Sequence, residues 1–250
     1  MGFWQKLFKS EFSEFTAEDR QKLDAIQKIT GYHFHDLNLL LLALTHRSFH
    51  KPGEKKHTYR SNERLEFLGD SVLGLVIAEM LYLDHPDLRE GRMTKMKAML
   101  VNEITLSNVG KTIKLNEQIR MSPEEENLGG RQRPSIISDA FEAILGAVYI
   151  DGGLGAASDV ITRLIYARKD DILSDKSQKN FKGDLLELMQ ANGDGMPYYE
   201  VESEIGPDHD KEFEISVYIN KEKIGHGRGH TKKEAEQKAA AMALKSLKEE

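Results

Sequence analysis

The chain has 250 residues, a length typical of one large domain or two smaller ones. Hydrophobic residues make up 39% of it, enough for folded cores, and the absence of cysteine excludes disulfides and thiolate metal sites, which leaves oxygen or imidazole ligands for any bound metal. The formal net charge of −6 excludes a generally basic surface, so binding to nucleic acid would require a local basic region.

Neither a membrane span nor an export signal is expected. The longest apolar run, residues 39–44, is far shorter than the roughly 18–20 residues of a membrane-spanning helix. The first residues lack a basic stretch followed by an apolar core, which is the pattern of a secretory signal. We therefore expect a cytoplasmic protein that makes no membrane contact.

Residues 1–20 are interpreted as an N-terminal extension. Large aromatic side chains stand there among charged ones, namely Phe3, Trp4, Phe8, Phe12 and Phe15. This pattern favours a docked or frayed helix, and an arm that binds a partner is the alternative.

Residues 21–169 predict a succession of helices. Apolar residues recur there at helical spacing, and no segment shows the alternation of a strand. The run 37–44 is apolar nearly all round, as in a buried helix, and 62–83 is long and amphipathic. Further helices are predicted over 92–101, 103–113 and 135–149, the last ending near Gly153. The sequence therefore predicts an all-α domain.

A different pattern follows this helical region. Residues 170–180 are polar and without periodicity, which predicts a linker before a second domain over 181–250. Within that domain the predicted elements are a helix over 184–190, strands over 198–203, 212–219 and 223–228, and a closing helix over 231–248. The order α-β-β-β-α is that of a small α+β domain.

Two groups of carboxylates carry the strongest chemical signal. Glu63, Glu66 and Asp70 fall within roughly a 60° arc of one predicted helix. Asp139 and Glu142 are three positions apart on another, among apolar neighbours. One interpretation is that each is an ordinary exposed carboxylate. The other is that the two helices face each other and present a cluster of oxygens to Mg²⁺, which relieves their repulsion. Spacing alone leaves both interpretations open.

Residues 62–70, NERLEFLGD, strongly resemble the signature of the ribonuclease III family. Further segments match that family in the same order: ALTHRS at 43–48, Glu90-Gly91, MLV at 99–101 and SDAFEA at 138–143. The resemblance extends over about residues 21–250. It implies an all-α endonuclease domain that cuts double-stranded RNA and forms a homodimer, each subunit contributing one acidic site.

The resemblance also implies roles for individual side chains. The residues expected to bind metal and carry out catalysis are Glu66, Asp70, Asp139 and Glu142, with Asp70 and Glu142 essential. Glu63 and Glu90 are expected to be supporting acidic residues. Phe67 is expected to insert into the partner subunit, and its alternative is a plain core aromatic. His46 and Arg47 are assigned to packing.

The chemistry implied by the resemblance is two-metal-ion hydrolysis that depends on Mg²⁺, with Mn²⁺ as a substitute and no small-molecule cofactor. The products would carry 5′-phosphate and 3′-hydroxyl ends with short 3′ overhangs, and the substrates would be ribosomal RNA precursors and structured transcripts. A non-catalytic RNA-binding relative would lack part of the acidic set, which is complete here. A helical phosphohydrolase acting on small molecules would leave the second domain unexplained.

Residues 181–250 resemble the double-stranded-RNA-binding domain that follows the nuclease domain in this family. Such domains recognise A-form duplexes through phosphates and 2′-hydroxyls. His209 matches the loop that enters a minor groove, and Lys232 and Lys233, at a helix N-terminus, are expected to bind phosphate. The segment has 10 basic against 15 acidic residues, a net charge of −5. Binding must therefore rest on one local basic edge.

Some positions depart from the family pattern. Leu186 and Glu236 stand where the family often has a polar and a basic residue, so we expect this domain to assist a dimeric enzyme and not to hold RNA alone. The basic loop 50–61 is longer than usual, and it is either a solvated loop or an extra phosphate contact. The same alternatives apply to Arg131 and Arg133.

Overall fold

The computed structural model describes residues 15–49, 61–175, 180–207 and 211–249. The chain divides between Ser174 and Asp175 into two compact units. In their described parts, the first unit is helical and the second combines two helices with a three-stranded sheet. The predicted fold class, an all-α domain followed by an α-β-β-β-α domain, is confirmed.

The described part of the first unit contains nine α-helices. Helices α1 (Ala17–Thr30) and α2 (Leu37–Ala43) precede α3 (Glu63–Asp84), one of the two long helices. Four shorter helices follow: α4 (Glu90–Val101), α5 (Glu103–Thr112), α6 (Leu115–Gln118) and α7 (Pro123–Asn127). The second long helix, α8 (Pro134–Leu164), and the short α9 (Lys169–Ser174) complete the unit.

Helices α3 and α8 pack against each other at the centre of the first unit. Two glycines bring their backbones close together. A Cβ atom at Gly69 of α3 would collide with the backbone carbonyl of Glu142, and one at Gly146 of α8 would collide with the carbonyl of Leu65. Helices α2 and α5 pack on α8 as well. The glycine contacts therefore hold α3 and α8 together along the segments that carry the carboxylates.

Helix α8, together with the residues that follow it to Ser174, is the one helical segment of the described chain that is long and apolar enough to cross a membrane. Many of its apolar side chains lie in the protein core instead. Ile137, Phe141, Leu145 and Val148 are at most 2% exposed and pack among the buried residues of the first unit. Helix α8 is therefore a buried core helix and not a membrane span.

Helix α1 begins inside the segment that the sequence predicted to be an N-terminal extension. Thr16 caps it: the threonine hydroxyl accepts a hydrogen bond from the Asp19 N–H (3.0 Å), and the Asp19 carboxylate accepts one from the Thr16 N–H (3.1 Å). Asp19 also lies 3.4 Å from Arg120 Nε. This capping box fixes the start of the helix at Ala17.

One further boundary agrees with the prediction and one differs from it. The helix predicted to end near Gly153 does break there, where Gly153 adopts the non-helical angles φ 79° and ψ −176°, and a second helical stretch continues from this kink to Leu164. The first residues of the predicted linker, 170–180, form part of α9, whose Ile172 and Leu173 pack against the core. These apolar contacts extend the helical unit further along the chain than the polar sequence indicated.

The second unit consists of α10 (Phe181–Asn192), β1 (Tyr198–Ile205), β2 (Glu212–Ile219), β3 (Glu222–Gly229) and α11 (Lys232–Glu249). The strands form an antiparallel sheet with β2 in the centre. Its core comes from α10, β2 and α11 and contains Leu185, Met189, Val217, Ile219, Ala239, Ala240 and Ala243. Because Gly225 and Gly227 of β3 lack side chains, α11 can lie directly against that strand.

Candidate active site and candidate RNA-binding residues

Three of the predicted carboxylates come together where α3 and α8 face each other. Glu66 is on α3, and Asp139 and Glu142 are on α8. One carboxylate oxygen from each lies within 4.8 Å of the other two, and all three side chains are partly buried. The spacing of these atoms is suited to holding a cation, and every ligand is a carboxylate oxygen, the kind that Mg²⁺ prefers.

The electrostatics of this cluster favour a bound cation. Burial, reinforced by the charges of Asp70, Asp139 and Glu66, raises the pKa of Glu142 to about 8. Burial and neighbouring carboxylates raise the pKa of Glu66 and of Asp139 as well. Three carboxylates that all resist ionisation are a costly arrangement unless a proton or a cation neutralises them. The cluster therefore has the chemistry of a metal site.

The other predicted acidic residues lie outside this group of three. Asp70 is on the exposed surface of α3, close enough for its charge to raise the pKa of Glu142. Glu63 is exposed, and its carboxylate accepts a hydrogen bond from Ser61 Oγ (2.8 Å). Glu90 begins α4, where its exposed carboxylate accepts a hydrogen bond from Thr94 Oγ1 (2.8 Å). Within the described part of the chain, no hydrogen bond or ion pair joins Glu90 to the cluster.

Two charged residues outside the predicted acidic set, Arg47 and Glu103, change the pKa values of carboxyl groups in the cluster. Arg47 was assigned to packing, which is wrong: its side chain is 74% exposed, its Nη1 lies 3.7 Å from Glu63 Oε1, and its charge lowers the pKa of Glu66 and of Asp139. Glu103 was missed. It is the first residue of α5, which packs on α8, and its charge raises the pKa of Asp139.

The packing role predicted for His46 is confirmed. Its side chain is 8% exposed, and Nδ1 forms a 2.8 Å hydrogen bond with Ser48 Oγ. Burial lowers the pKa of His46, which keeps the ring neutral at physiological pH. The Ser48 hydroxyl also accepts a hydrogen bond from the Ser122 N–H (3.1 Å), so these residues join the chain after α2 to the start of α7.

Comparison with known proteins decides the family. A family model described as "Ribonuclease-III-like" matches residues 36–169, and one described as "Double-stranded RNA binding motif" matches residues 181–247. The chain is 44% identical to "Ribonuclease 3" of Aliarcobacter butzleri, over 90% of this chain and 97% of that relative. It is 47% identical to "Ribonuclease 3" of Caldanaerobacter subterraneus subsp. tengcongensis, over 88% and 96% respectively. The chain belongs to the ribonuclease III family.

A solved structure agrees with this assignment. The nuclease domain of ribonuclease III from Campylobacter jejuni is 42% identical, with a TM-score of 0.54, over 58% of this chain and 96% of that domain. The present chain is thus a ribonuclease III family enzyme, an endoribonuclease of double-stranded RNA, and its α-β-β-β-α domain is the RNA-binding part.

Within this family assignment, Phe67 is an exposed aromatic on the nuclease domain. Its side chain is 78% exposed, so the interpretation as a core aromatic is wrong. Other large apolar side chains of the same helix are exposed too, namely Leu75 (56%), Tyr82 (69%) and Leu83 (68%). Helix α3 of this ribonuclease III family member therefore carries both a carboxylate of the cluster and apolar surface that the described chain leaves uncovered.

The predicted RNA-binding lysines lie at the start of α11. Lys232 Nζ is 2.9 Å from Glu204 Oε1 and 5.3 Å from the centre of the Phe213 ring. Lys233 is exposed and forms no ion pair within the described part of the chain. His209 lies outside the described residues. The structure therefore distinguishes two lysines that the sequence treated as equivalent.

The other basic residues considered as phosphate contacts are Arg131, Arg133 and those of the loop 50–61. The two arginines form ion pairs with glutamates of the nuclease domain. Arg131 pairs with Glu126 and donates a hydrogen bond to the Ile119 carbonyl (2.9 Å). Arg133 Nη1 lies 2.7 Å from Glu125 Oε1. These two arginines hold the turn between α7 and α8. The basic loop is described only at Ser61.

Proposed function

We propose that this enzyme hydrolyses double-stranded RNA with Mg²⁺ held by Glu66, Asp139 and Glu142, and that Mn²⁺ can replace Mg²⁺. The observation that carries the proposal is the cluster of three partly buried carboxylates, whose oxygens lie within 4.8 Å of one another. When bound, divalent cations would supply Lewis-acid chemistry, activating a water and stabilising the leaving oxygen of the phosphodiester.

We assign the essential chemistry to Asp70 and Glu142. Glu142 is among the most strongly perturbed carboxyl groups of the described chain, and its raised pKa means that it gives up its proton when a cation takes its place. Asp70 extends the acidic surface from the buried cluster towards solvent, where RNA can reach it. Glu63 and Glu90 are proposed as supporting acidic residues, with Arg47 holding Glu63 in position.

We further propose that the enzyme is a homodimer whose subunits each supply one acidic site, so that the two strands of a duplex are cut separately. The exposed apolar residues of α3, Phe67 in particular, are the proposed contact. A structural study of the Campylobacter jejuni nuclease domain describes a region involved in its dimer formation. Cuts by two such sites would leave 5′-phosphate and 3′-hydroxyl ends with short 3′ overhangs.

The proposed substrates are ribosomal RNA precursors and structured messenger and transfer RNA transcripts, processed in the cytoplasm. In the proposed domain arrangement, residues 21–169 cut the duplex, and residues 181–250 assist the dimeric nuclease domain in holding it. Lys232, Lys233 and His209 would contact phosphates and a minor groove, which are features that A-form duplexes of any sequence present.

The proposed function is tested by incubating the full chain with a long RNA duplex in Mg²⁺, in Mn²⁺ or with a chelator. We expect short duplex products with either metal and none with the chelator. Sequencing should find 5′-phosphates and 3′ overhangs. An enzyme that cuts equally well in the chelator, or that leaves 3′-phosphates, would contradict the metal assignment. Binding without any cleavage would favour a non-catalytic RNA-binding protein.

A further inference from the structure

Strand β1 contains a bulge near its end. After the bulge, each side chain points to the face of the sheet opposite to the one that regular alternation would give it. Val201 pairs with Ile215 of β2, but the next recorded pair is Ser203 with Glu214. Glu202 is therefore the extra residue of the bulge. After it, side chains again alternate between the two faces of the sheet, but even-numbered residues now take the face that odd-numbered residues held before. A bulge of this kind is a common way to redirect a side chain at the end of a strand.

The bulge places Glu204 on the helix-covered face of the sheet. Before it, Tyr199 pairs with Val217, and both pack in the core beneath the helices. After it, Glu204 pairs with Phe213, and directly opposed residues of antiparallel strands share a face. Val217 and Phe213 are four positions apart on β2 and so also share a face. In a regular strand, Ile205 and not Glu204 would point to this face. Ile205 is instead 59% exposed, as expected if the bulge turns it away.

On that face the carboxylate of Glu204 meets two lysines. Its Oε1 lies 2.9 Å from Lys232 Nζ, and its Oε2 lies 3.4 Å from Lys211 Nζ. The hydrogen bonds and charges of both lysines lower the pKa of Glu204, so it is ionised at neutral pH. The Lys232 ammonium also lies 5.3 Å from the centre of the Phe213 ring. Lys232 thus already has a carboxylate partner and an aromatic neighbour in the free enzyme.

We propose that Glu204 is an internal competitor of RNA phosphate: its carboxylate occupies Lys232 in the free enzyme and must release it when the duplex binds. This inference rests on the proposed role of Lys232 in RNA binding. A carboxylate and a phosphate offer an ammonium group the same kind of charged oxygen, so the two are alternatives for Lys232. Lys233, which has no ion pair in the described chain, is free of this competition.

The consequence is a domain whose affinity for RNA is lower than its basic residues would allow. Exposed ion pairs are weak, so the penalty is small, about two- to fivefold in Kd. A penalty of this size limits how tightly a cut product is held without abolishing binding of a long duplex, which the nuclease domain also contacts in the proposed arrangement.

The test compares duplex binding by the full chain and four variants: Glu204→Gln, Lys232→Ala, the double variant, and Glu202→Gln as the matched control. Glu202 is also on β1 and also pairs with a lysine, Lys223, at 3.2 Å. The probe is an RNA duplex of ~16 base pairs, the span of one such domain, without divalent cations so that it stays uncut. Thermal unfolding of each variant checks folding, and Glu204→Thr repeats the test if the Gln variant is unstable.

We expect Glu204→Gln to tighten binding by about two- to fivefold, Glu202→Gln to leave it unchanged, and the gain to vanish in the Lys232→Ala background. An equal gain in that background would show a general charge effect and overturn the proposal. The proposal also fails if Lys232→Ala weakens binding but Glu204→Gln does not strengthen it, which leaves the RNA contact itself standing. If Lys232→Ala has no effect on binding, Lys232 does not contact RNA as proposed. In that case Glu204 does not compete with RNA for it either.

Discussion

Gly69 of α3 lies so close to Glu142 of α8 that any side chain at position 69 would collide with the Glu142 backbone carbonyl. The residue that lets the helices approach is thus in contact with a residue of the acidic cluster. Glu66 is one turn before Gly69 on the same helix. The distance between the carboxylates of α3 and α8 therefore depends on the absence of a side chain at Gly69.

Replacing Gly69 with Ala is expected to separate the two helices. Overpacking of this kind costs about 1–3 kcal/mol of stability, and cleavage should fall because Glu66 and Glu142 no longer hold a cation together. The matched control is Gly74→Ala on the same helix, where the new Cβ meets only the flexible end of Lys97 at 3.4 Å. That variant should be as stable as the parent or slightly more so. Thermal unfolding and cleavage rates of both variants provide the measurement, and equal behaviour would refute the packing argument.

The stability of the metal-free enzyme should fall as pH rises from about 4.5 to about 8. The folded-state pKa of Glu142 is about 8, against an ordinary value of 4.5. Between these values the folded state keeps a proton that the unfolded state has lost, so each rise in pH favours unfolding until pH exceeds about 8. Mg²⁺ should stabilise the protein more at the upper end of this range, because its ligands must be deprotonated.

Thermal unfolding across this range, with a chelator or with Mg²⁺, measures the effect. Glu142→Gln cannot titrate and should remove most of this pH dependence in the chelator. A slope of the same size in that variant would mean that other groups cause it.

Phe67→Ser is expected to weaken the dimer, because its exposed aromatic ring is proposed to bury itself in the partner subunit. The control is Leu128→Ser, which removes an apolar side chain of similar exposure, 73% against 78%, outside helix α3. Sedimentation of the full chain at micromolar concentration should show more monomer for Phe67→Ser than for the control. A parent protein that is already monomeric would contradict the homodimer.

Replacing both Lys232 and Lys233 with Ala should weaken duplex binding and reduce the slope of log K against log salt. Each lost phosphate contact removes about one unit of that slope. Of the single variants, Lys233→Ala should have the larger effect, because Lys233 does not exchange an internal partner for RNA. Affinity measured over a range of salt concentrations tests this, and unchanged slopes would place the phosphate contacts elsewhere.

Much of the site could be predicted because its residues repeat at helical spacing. Asp139 and Glu142 are three positions apart on one helix, so their placement on one face follows from local geometry. Arg47 and Glu103 act on the cluster from other elements, and no local pattern records such a tertiary approach. The bulge at Glu202 could not be predicted either. One extra residue in a strand moves the Glu204 side chain to the other face of the sheet, but it leaves no mark in the residue types of the strand.

The same holds for the fold: features set by the local sequence could be predicted, and features set by tertiary contacts could not. Helices α2 to α5, the first part of α8 and the order of elements in the second unit followed from periodicity and turn residues, whereas the short helices α6 and α7 were not predicted. The start of α1 was missed although Thr16 and Asp19 form a capping box, a signal that the sequence does contain. The end of the helical unit was missed because Ile172 and Leu173 are held by core contacts that a short polar segment does not reveal.

Cleavage and binding by Glu142→Gln test the central claim most directly. The substitution keeps the size of the side chain but removes a ligand of the proposed metal site, so the cleavage rate in Mg²⁺ should fall by at least about 100-fold. Duplex affinity without metal should be unchanged, because a Glu142 with a pKa of about 8 is already mostly neutral at pH 7. The control is Asp159→Asn, an exposed position in the part of α8 that follows the kink at Gly153, and this variant should cut like the parent. Near-parental cleavage by Glu142→Gln would contradict the account, and joint loss of cleavage and binding would assign Glu142 to folding instead.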